Sequence, residues 1–106
     1  MKIFKTKKNL KSYLSLFDEN ISIGFIPTMG AIHNGHLKLI QTSKKECEKT
    51  ICSIFINPTQ FDNSEDFHNY PQTLTEDLKK LQKSKCDIVY APNVLDLYEK
   101  NEKVKK

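Results

Sequence analysis

Two histidines three residues apart, His33 and His36, flank Asn34 and Gly35 where an apolar stretch gives way to a helical pattern. Residues at i and i+3 share a helix face, so both imidazoles can point into one cleft. What precedes them limits what that cleft can hold. Ile21-Ser22-Ile23-Gly24-Phe25-Ile26 reads as a buried strand. Pro27 has no N–H to give a sheet ladder and is expected to end it. Gly30 and Gly35 fall in the loop that follows, and Leu37, Leu39 and Ile40 begin a helix. Strand, glycine-containing loop and helix N-terminus is the layout in which backbone N–H groups and the helix dipole hold a phosphate. The bland alternative is a pair of histidines that merely caps the helix, and on spacing alone the two readings stand about even.

The surrounding elements follow from the pattern. Lys2-Ile3-Phe4 suggests a short opening strand. Thr6 is the expected N-cap of a helix over about 7–17, with Leu10, Leu14 and Phe17 as the stripe that packs on the sheet. The helix after His36 is expected to run to about 49, with Leu37, Ile40 and Cys47 facing inward. Residues 50–56 form a second apolar, β-branched strand, expected to pair parallel with the first through a right-handed crossover. A long loop over 57–71 follows, at the strand end where open α/β sheets carry function. Asn57 and Gln60 offer neutral donors and acceptors there, and Phe61 and Phe67 are expected to tie the loop down. Thr73 or Thr75 should cap a helix to about Ser84, with Leu74, Leu78 and Leu81 buried. Glu76 and Asp77 then fall in its first turn, where a favourable interaction with the dipole is the ordinary reading. Residues 87–92 read as a third main strand, and 99–106, almost all charged, as a frayed tail. The sum is βαβαβ over 1–98, half of a doubly wound sheet with its ligand site at the strand C-termini.

A chain of 106 residues is one domain by the usual size relation. Hydrophobic content of 38% and charged content of 28% suit a globular class. No apolar stretch approaches a membrane span, and the N-terminus carries no signal-peptide run. A cytoplasmic location with no membrane partner is therefore expected. The net charge of +4 comes wholly from lysine, because the sequence contains no arginine. Arginine is the usual reader of base edges and phosphate forks, so no nucleic-acid partner is expected. Cys47, Cys52 and Cys86 are odd in number and lack C-x-x-C spacing. They are expected to be reduced rather than to form a disulfide framework or a zinc site.

His33-Asn34-Gly35-His36 resembles the His-x-Gly-His signature of the nucleotidyltransferase superfamily, which includes class I aminoacyl-tRNA synthetases. That resemblance implies that Gly35 leaves a flat floor on which adenine can rest. The longer strings, Pro27-Thr28-Met29-Gly30 through His36 and then Ile54-Phe55-Ile56-Asn57-Pro58-Thr59-Gln60-Phe61, resemble the pantothenate synthetase (pantoate–β-alanine ligase) family. The resemblance runs from about Ile21 to Tyr98. It implies an α/β, Rossmann-like fold of the adenine nucleotide alpha hydrolase-like (HIGH nucleotidyltransferase) kind, a half-sheet of parallel strands in a three-layer α/β/α arrangement. It implies ATP-dependent condensation of pantoate with β-alanine through pantoyl adenylate, a step toward coenzyme A, with Mg²⁺ accompanying the nucleotide. A homodimer is expected on the same ground.

Carried over position by position, the resemblance makes Met29, Gly30, Ala31, Ile32, His33, Asn34, Gly35 and His36 the ATP-binding loop. It gives His36 the proton-donor role, with His33 as its catalytic partner at the phosphates. It places pantoate on Gln60, beside β-alanine, with Asn57 in support and Pro27, Thr28 and Met29 shaping the pocket. It puts Asp77 and Glu76 near the metal. The sequence departs from the family in two places. Gln72 follows Tyr70-Pro71 where arginine is common, and the chain stops soon after Glu99 where the family continues. The chain thus corresponds to the first third to half of such an enzyme, as a fragment or truncated form, and is expected to be a poor catalyst alone. Rival readings are another His-x-Gly-His nucleotidyltransferase, which the Asn57–Phe61 string argues against, and a non-catalytic nucleotide- or partner-binding remnant.

Overall fold

The computed structural model describes residues 1–55 and 70–92. Within them, short apolar segments become four parallel strands: β1 (Lys2–Phe4), β2 (Ile23–Thr28), β3 (Lys49–Ile54) and β4 (Ile88–Tyr90), in the spatial order β1-β4-β3-β2. Helices α1 (Lys7–Leu14), α2 (Asn34–Glu46) and α3 (Tyr70–Lys83) alternate with them. The continuous apolar run of β3 fits its central place, since a parallel strand between two neighbours is covered on both faces. Thr50 through Ile54 are all buried. Register runs from Ile23 opposite Lys49 to Thr28 opposite Ile54, and from Ile51 opposite Ile88 to Ser53 opposite Tyr90.

Side chains alternate across the strands, and the two faces have separate cores. On one face, Ile26, Cys52, Ile54 and Val89 pack with Ile32, Ile40, Leu74 and Leu81 beneath α2 and α3. On the other, Ile51 and Ile88 pack with Leu10, Tyr13 and Leu14 of α1. This is the expected three-layer α/β/α arrangement. All three cysteines are free. Burial pushes the Cys52 thiol up to about 12 and raises Cys86 as well, which makes both inert core thiols.

Several boundaries differ from the sequence expectation. Pro27 does not end its strand; it lies inside β2, opposite Ser53. The reason is position, because β2 lies at the edge of the sheet formed by the described residues, and a missing N–H on the side away from β3 breaks no ladder bond there. Helix α1 stops at Leu14 rather than near 17. Leu16 and Phe17 donate their N–H groups to Tyr13 and Leu14, three residues back, as a tightened final turn. Phe17 still packs edge-on against Tyr13, with ring centroids 5.2 Å apart. Helix α2 ends at Glu46, because Glu48 and Lys49 turn their N–H groups to the Ser22 carbonyl and start the pairing of β3. Helix α3 begins at Tyr70 instead of at Thr73 or Thr75, with Pro71 in its first turn, where a missing N–H is no loss.

Close contact between α2 and β2 depends on Gly24. A Cβ there would lie 2.8 Å from Ser43 Cβ and closer still to its Oγ. Ser43 shares a 2.7 Å hydrogen bond with Thr50, so α2 is joined to both β2 and β3 at this level.

Candidate functional site

The loop joining β2 to α2 carries the two histidines, and its shape is set from three sides. Thr28, at the end of β2, is buried, and its hydroxyl is doubly engaged. It donates to the Ser53 carbonyl at 2.9 Å and accepts from Gly30 N–H at 3.2 Å. Gly30 and Ala31 both have positive φ, 92° and 54°. For alanine this left-handed conformation costs about 1–2 kcal/mol, so something must hold it. The holder is α3. Asp77, only 1% exposed, accepts from Ala31 N–H at 3.0 Å with one oxygen and from Ile32 N–H at 2.8 Å with the other. Lys80, one turn on, donates from Nζ to the Ile32 carbonyl at 2.9 Å. The Ile32 side chain then points into the core.

The loop delivers His33 as the N-cap of α2, in extended backbone. Its Nδ1 accepts from Gly35 N–H at 3.0 Å. His36 reaches back, and its Nδ1 accepts from His33 N–H at 3.1 Å. The two rings lie 4.0 Å apart at 34°. This is a capping box built from histidines. The geometry assigns the tautomers: a ring nitrogen that accepts from a backbone N–H carries no proton, so each neutral imidazole bears its proton on Nε2. Both rings therefore keep an N–H donor that the cap does not use, at the positive end of a helix dipole. Burial lowers the His36 pKa, its neighbour His33 lowers it further, and Asp77 opposes them. His36 is thus a neutral donor at neutral pH. Capping does not exclude ligand binding at this pair, because the cap uses only Nδ1 of each ring.

Gly35 makes the arrangement possible. A Cβ on it would lie 2.8 Å from His33 Cε1 and 3.1 Å from Nδ1. The sequence reading gives this glycine to a ligand's flat face; the structure gives it first to the His33 ring.

The structure brings Thr28 to His36 together with Asp77. Pro27, Met29, Ala31 and Asn34 are exposed beside the histidines, and Ile32 is not. Asp77 and Glu76 lie beyond the first turn of α3, which contains no acidic residue, so the dipole account of them fails. The earlier start of α3, at Tyr70, is the cause. Glu76 is exposed. Among the described residues no group of three or more His, Cys, Asp or Glu could hold a metal ion. Asn57, Gln60, Phe61, Phe67 and Gln72, and the tail over 99–106, lie outside what the structure describes of side chains. Sequence reasoning missed Lys80 and the inward role of Asp77. The available signal was that Asp77 falls on the Leu74, Leu78 and Leu81 stripe, where a carboxylate must find buried partners.

Comparison with known proteins adds an independent line. A family model described as pantoate-β-alanine ligase matches residues 2–106. A pantothenate synthetase of Flavobacterium psychrophilum is 46% identical over 101 residues, covering 93% of this chain and 36% of that relative. One from Acinetobacter baumannii is 53% identical over 76 residues, covering 72% of this chain and 27% of the relative. The solved pantoate-β-alanine ligase of Francisella tularensis, complexed with β-γ ATP and β-alanine, superposes with a TM-score of 0.74 at 40% identity, covering 93% of this chain and 38% of that one. The solved pantothenate synthetase of Thermus thermophilus gives 0.69 at 36% identity, covering 89% of this chain and 33% of that one. The chain spans roughly a third of the length of the relatives it matches.

Proposed function

Because this chain belongs to the pantoate–β-alanine ligase family, we propose that its described residues supply the nucleotide-binding part of an enzyme that joins pantoate to β-alanine at the expense of ATP. In this reading the pantoate carboxylate attacks the α-phosphorus of ATP, forming pantoyl adenylate and releasing pyrophosphate. The amine of β-alanine then attacks the acyl carbon, forming the amide bond of pantothenate and releasing AMP. The single observation that carries the reading is the pair of Nε2–H donors held at the N-terminus of α2 by a histidine capping box. Donors fixed before the ligand arrives, and aimed where phosphate charge develops, are what such a transfer requires. His36 acts as the proton-donating group at the departing pyrophosphate, and His33 steadies the phosphates beside it. Met29, Ala31, Asn34 and Gly35 form the wall around them, and the buried Gly30 and Ile32 support it from behind. Gln60, with Asn57, binds pantoate, and Pro27, Thr28 and Met29 bound its pocket.

Mg²⁺ would accompany the nucleotide in this reading. It is usually held by phosphates, waters and one or two carboxylates rather than by an all-protein cage. Glu76, exposed on α3, is the acidic side chain proposed to approach it, where the ion would neutralise phosphate charge. The expectation for Asp77 is corrected, because that carboxylate is buried and both its oxygens are already taken by the loop backbone. The working location is the cytoplasm and the assembly a homodimer, which sedimentation of the purified chain would test. No described helix is long and apolar enough to cross a membrane.

The test of the nucleotide reading is calorimetric titration of the purified chain with ATP, compared with His36→Ala and with Gly35→Val. Saturable binding that both substitutions weaken by tenfold or more is expected. Equal affinity in all three proteins would refute it.

A further inference from the structure

We propose that Asp77 and Lys80 are positioning residues, through which α3 sets the direction of the His33 and His36 donors by clamping the loop backbone just before them. The inference rests on the nucleotide reading above for its consequence, and on geometry for its substance. Three backbone groups of two consecutive loop residues, Ala31 N–H, Ile32 N–H and Ile32 C=O, bond to two side chains one turn apart on one helix. Such a three-point grip fixes peptide orientation as well as position. It acts on the residues that most need it, since Ala31 has a left-handed φ of 54° that persists only where its surroundings dictate it. The next residue along the chain is His33, whose own N–H is the one that His36 accepts. The direction of both rings is therefore set by the peptide planes that Asp77 and Lys80 hold.

A second consequence concerns the ligand. In a glycine-rich phosphate loop, successive backbone N–H groups turn toward the anion. Here the Ala31 and Ile32 N–H groups turn inward to a buried carboxylate instead. They are withdrawn from phosphate binding, and a negative charge lies behind them. The anion donors must then come from the histidine rings and the N-terminus of α2, which makes their orientation decisive.

The experiment uses the whole chain labelled with ¹⁵N. Asp77→Asn keeps the size of the side chain but offers one carbonyl acceptor and turns an NH₂ donor toward the second N–H. Leu10→Ala, in the core on the opposite face of the sheet, supplies a destabilised control. Backbone amide shifts and exchange rates report the clamp, ¹⁵N imidazole shifts report the two rings, and calorimetry reports ATP affinity. In Asp77→Asn the Ala31 and Ile32 amides should shift and exchange faster, both imidazole patterns should change, and ATP affinity should fall by tenfold or more. Leu10→Ala should alter none of these at a temperature where it stays folded. Unmoved amides in Asp77→Asn overturn the clamp. Moved amides with unmoved imidazoles, or with ATP affinity within twofold, overturn the positioning role. A wild-type chain that does not bind ATP refutes the nucleotide reading, and the imidazole shifts then decide whether the clamp positions the rings. Should Asp77→Asn not fold, Lys80→Met carries the same three readouts, because it keeps the stem and removes only the bond to Ile32.

Discussion

Replacing Gly35 with alanine separates the two uses of the histidine pair. The added Cβ would lie 2.8 Å from His33 Cε1, against an ordinary contact of 3.4 Å or more, so the ring must retreat by about half an ångström or swing away. Either movement weakens the bond from Gly35 N–H to His33 Nδ1, now 3.0 Å. Losing such a cap costs about 1 kcal/mol. Against it, alanine in a helix gains roughly 0.5–1 kcal/mol over glycine. Gly35 is not in the left-handed region, so alanine adopts its backbone without strain. The two effects nearly cancel, and stability should stay within about 1 kcal/mol of the wild type. Nucleotide affinity has no such compensation. A displaced donor to phosphate is a charge-assisted hydrogen bond worth about 1.5–3 kcal/mol, which is roughly a tenfold to hundredfold loss in affinity. Urea unfolding and calorimetric ATP titration on the same samples measure both. An ATP affinity within twofold of the wild type, in a protein that remains folded, would refute the role given to His33. A stability loss of several kcal/mol would refute the cancellation.

Acid should weaken the fold through His36. Its folded pKa lies below the ordinary 6.5, so its contribution is complete above about pH 6.5 and is lost as pH falls through the lowered folded value. The thermal midpoint should drop between pH 7 and 5, and drop less in His36→Gln, whose amide can still cap the helix without titrating; equal slopes would remove His36 from the acid response. Gly24→Ala should destabilise the chain by about 1–3 kcal/mol by overpacking against Ser43, and an unchanged urea midpoint would show that α2 yields more easily than its bond to Thr50 suggests. Gln60→Ala should weaken pantoate binding while ATP affinity changes little, and titration showing the reverse would overturn its assignment.

The sheet was legible because its strands are short apolar runs separated by helical stripes, and periodicity reports which face a residue covers. Boundaries were less legible, each for a local reason. Pro27 ends a strand only where its N–H side has a neighbour, and the edge position of β2 is a property of the whole sheet rather than of the segment. Nothing in residues 70–75 marks Tyr70 as the start of α3 more strongly than the two threonines that follow. That shift of a few residues changed the meaning of Asp77. Placed in a first turn, it is a dipole partner; placed further along a leucine stripe, it is a buried acceptor for another element's backbone.

The candidate site shows why residue type was easier to read than residue use. Spacing brought His33 and His36 into view, but it left capping and ligand binding as rivals. The hydrogen bonds make the two compatible, because capping uses only one nitrogen of each ring. Asp77 likewise partly opposes the lowering of the His36 pKa by burial and by His33 while its oxygens hold the loop. Alanine at any of these positions removes a structural bond and a chemical group together, so His36→Ala tests whether the site binds ATP but does not divide the loss between the two uses. His36→Gln retains the cap without the imidazole, Asp77→Asn retains the size without the second acceptor, and Gly35→Ala moves a ring without deleting it. Substitutions of this kind distinguish a residue that touches the ligand from one that only holds it in place, because each removes less than the whole side chain and its effects on fold and on affinity are read separately.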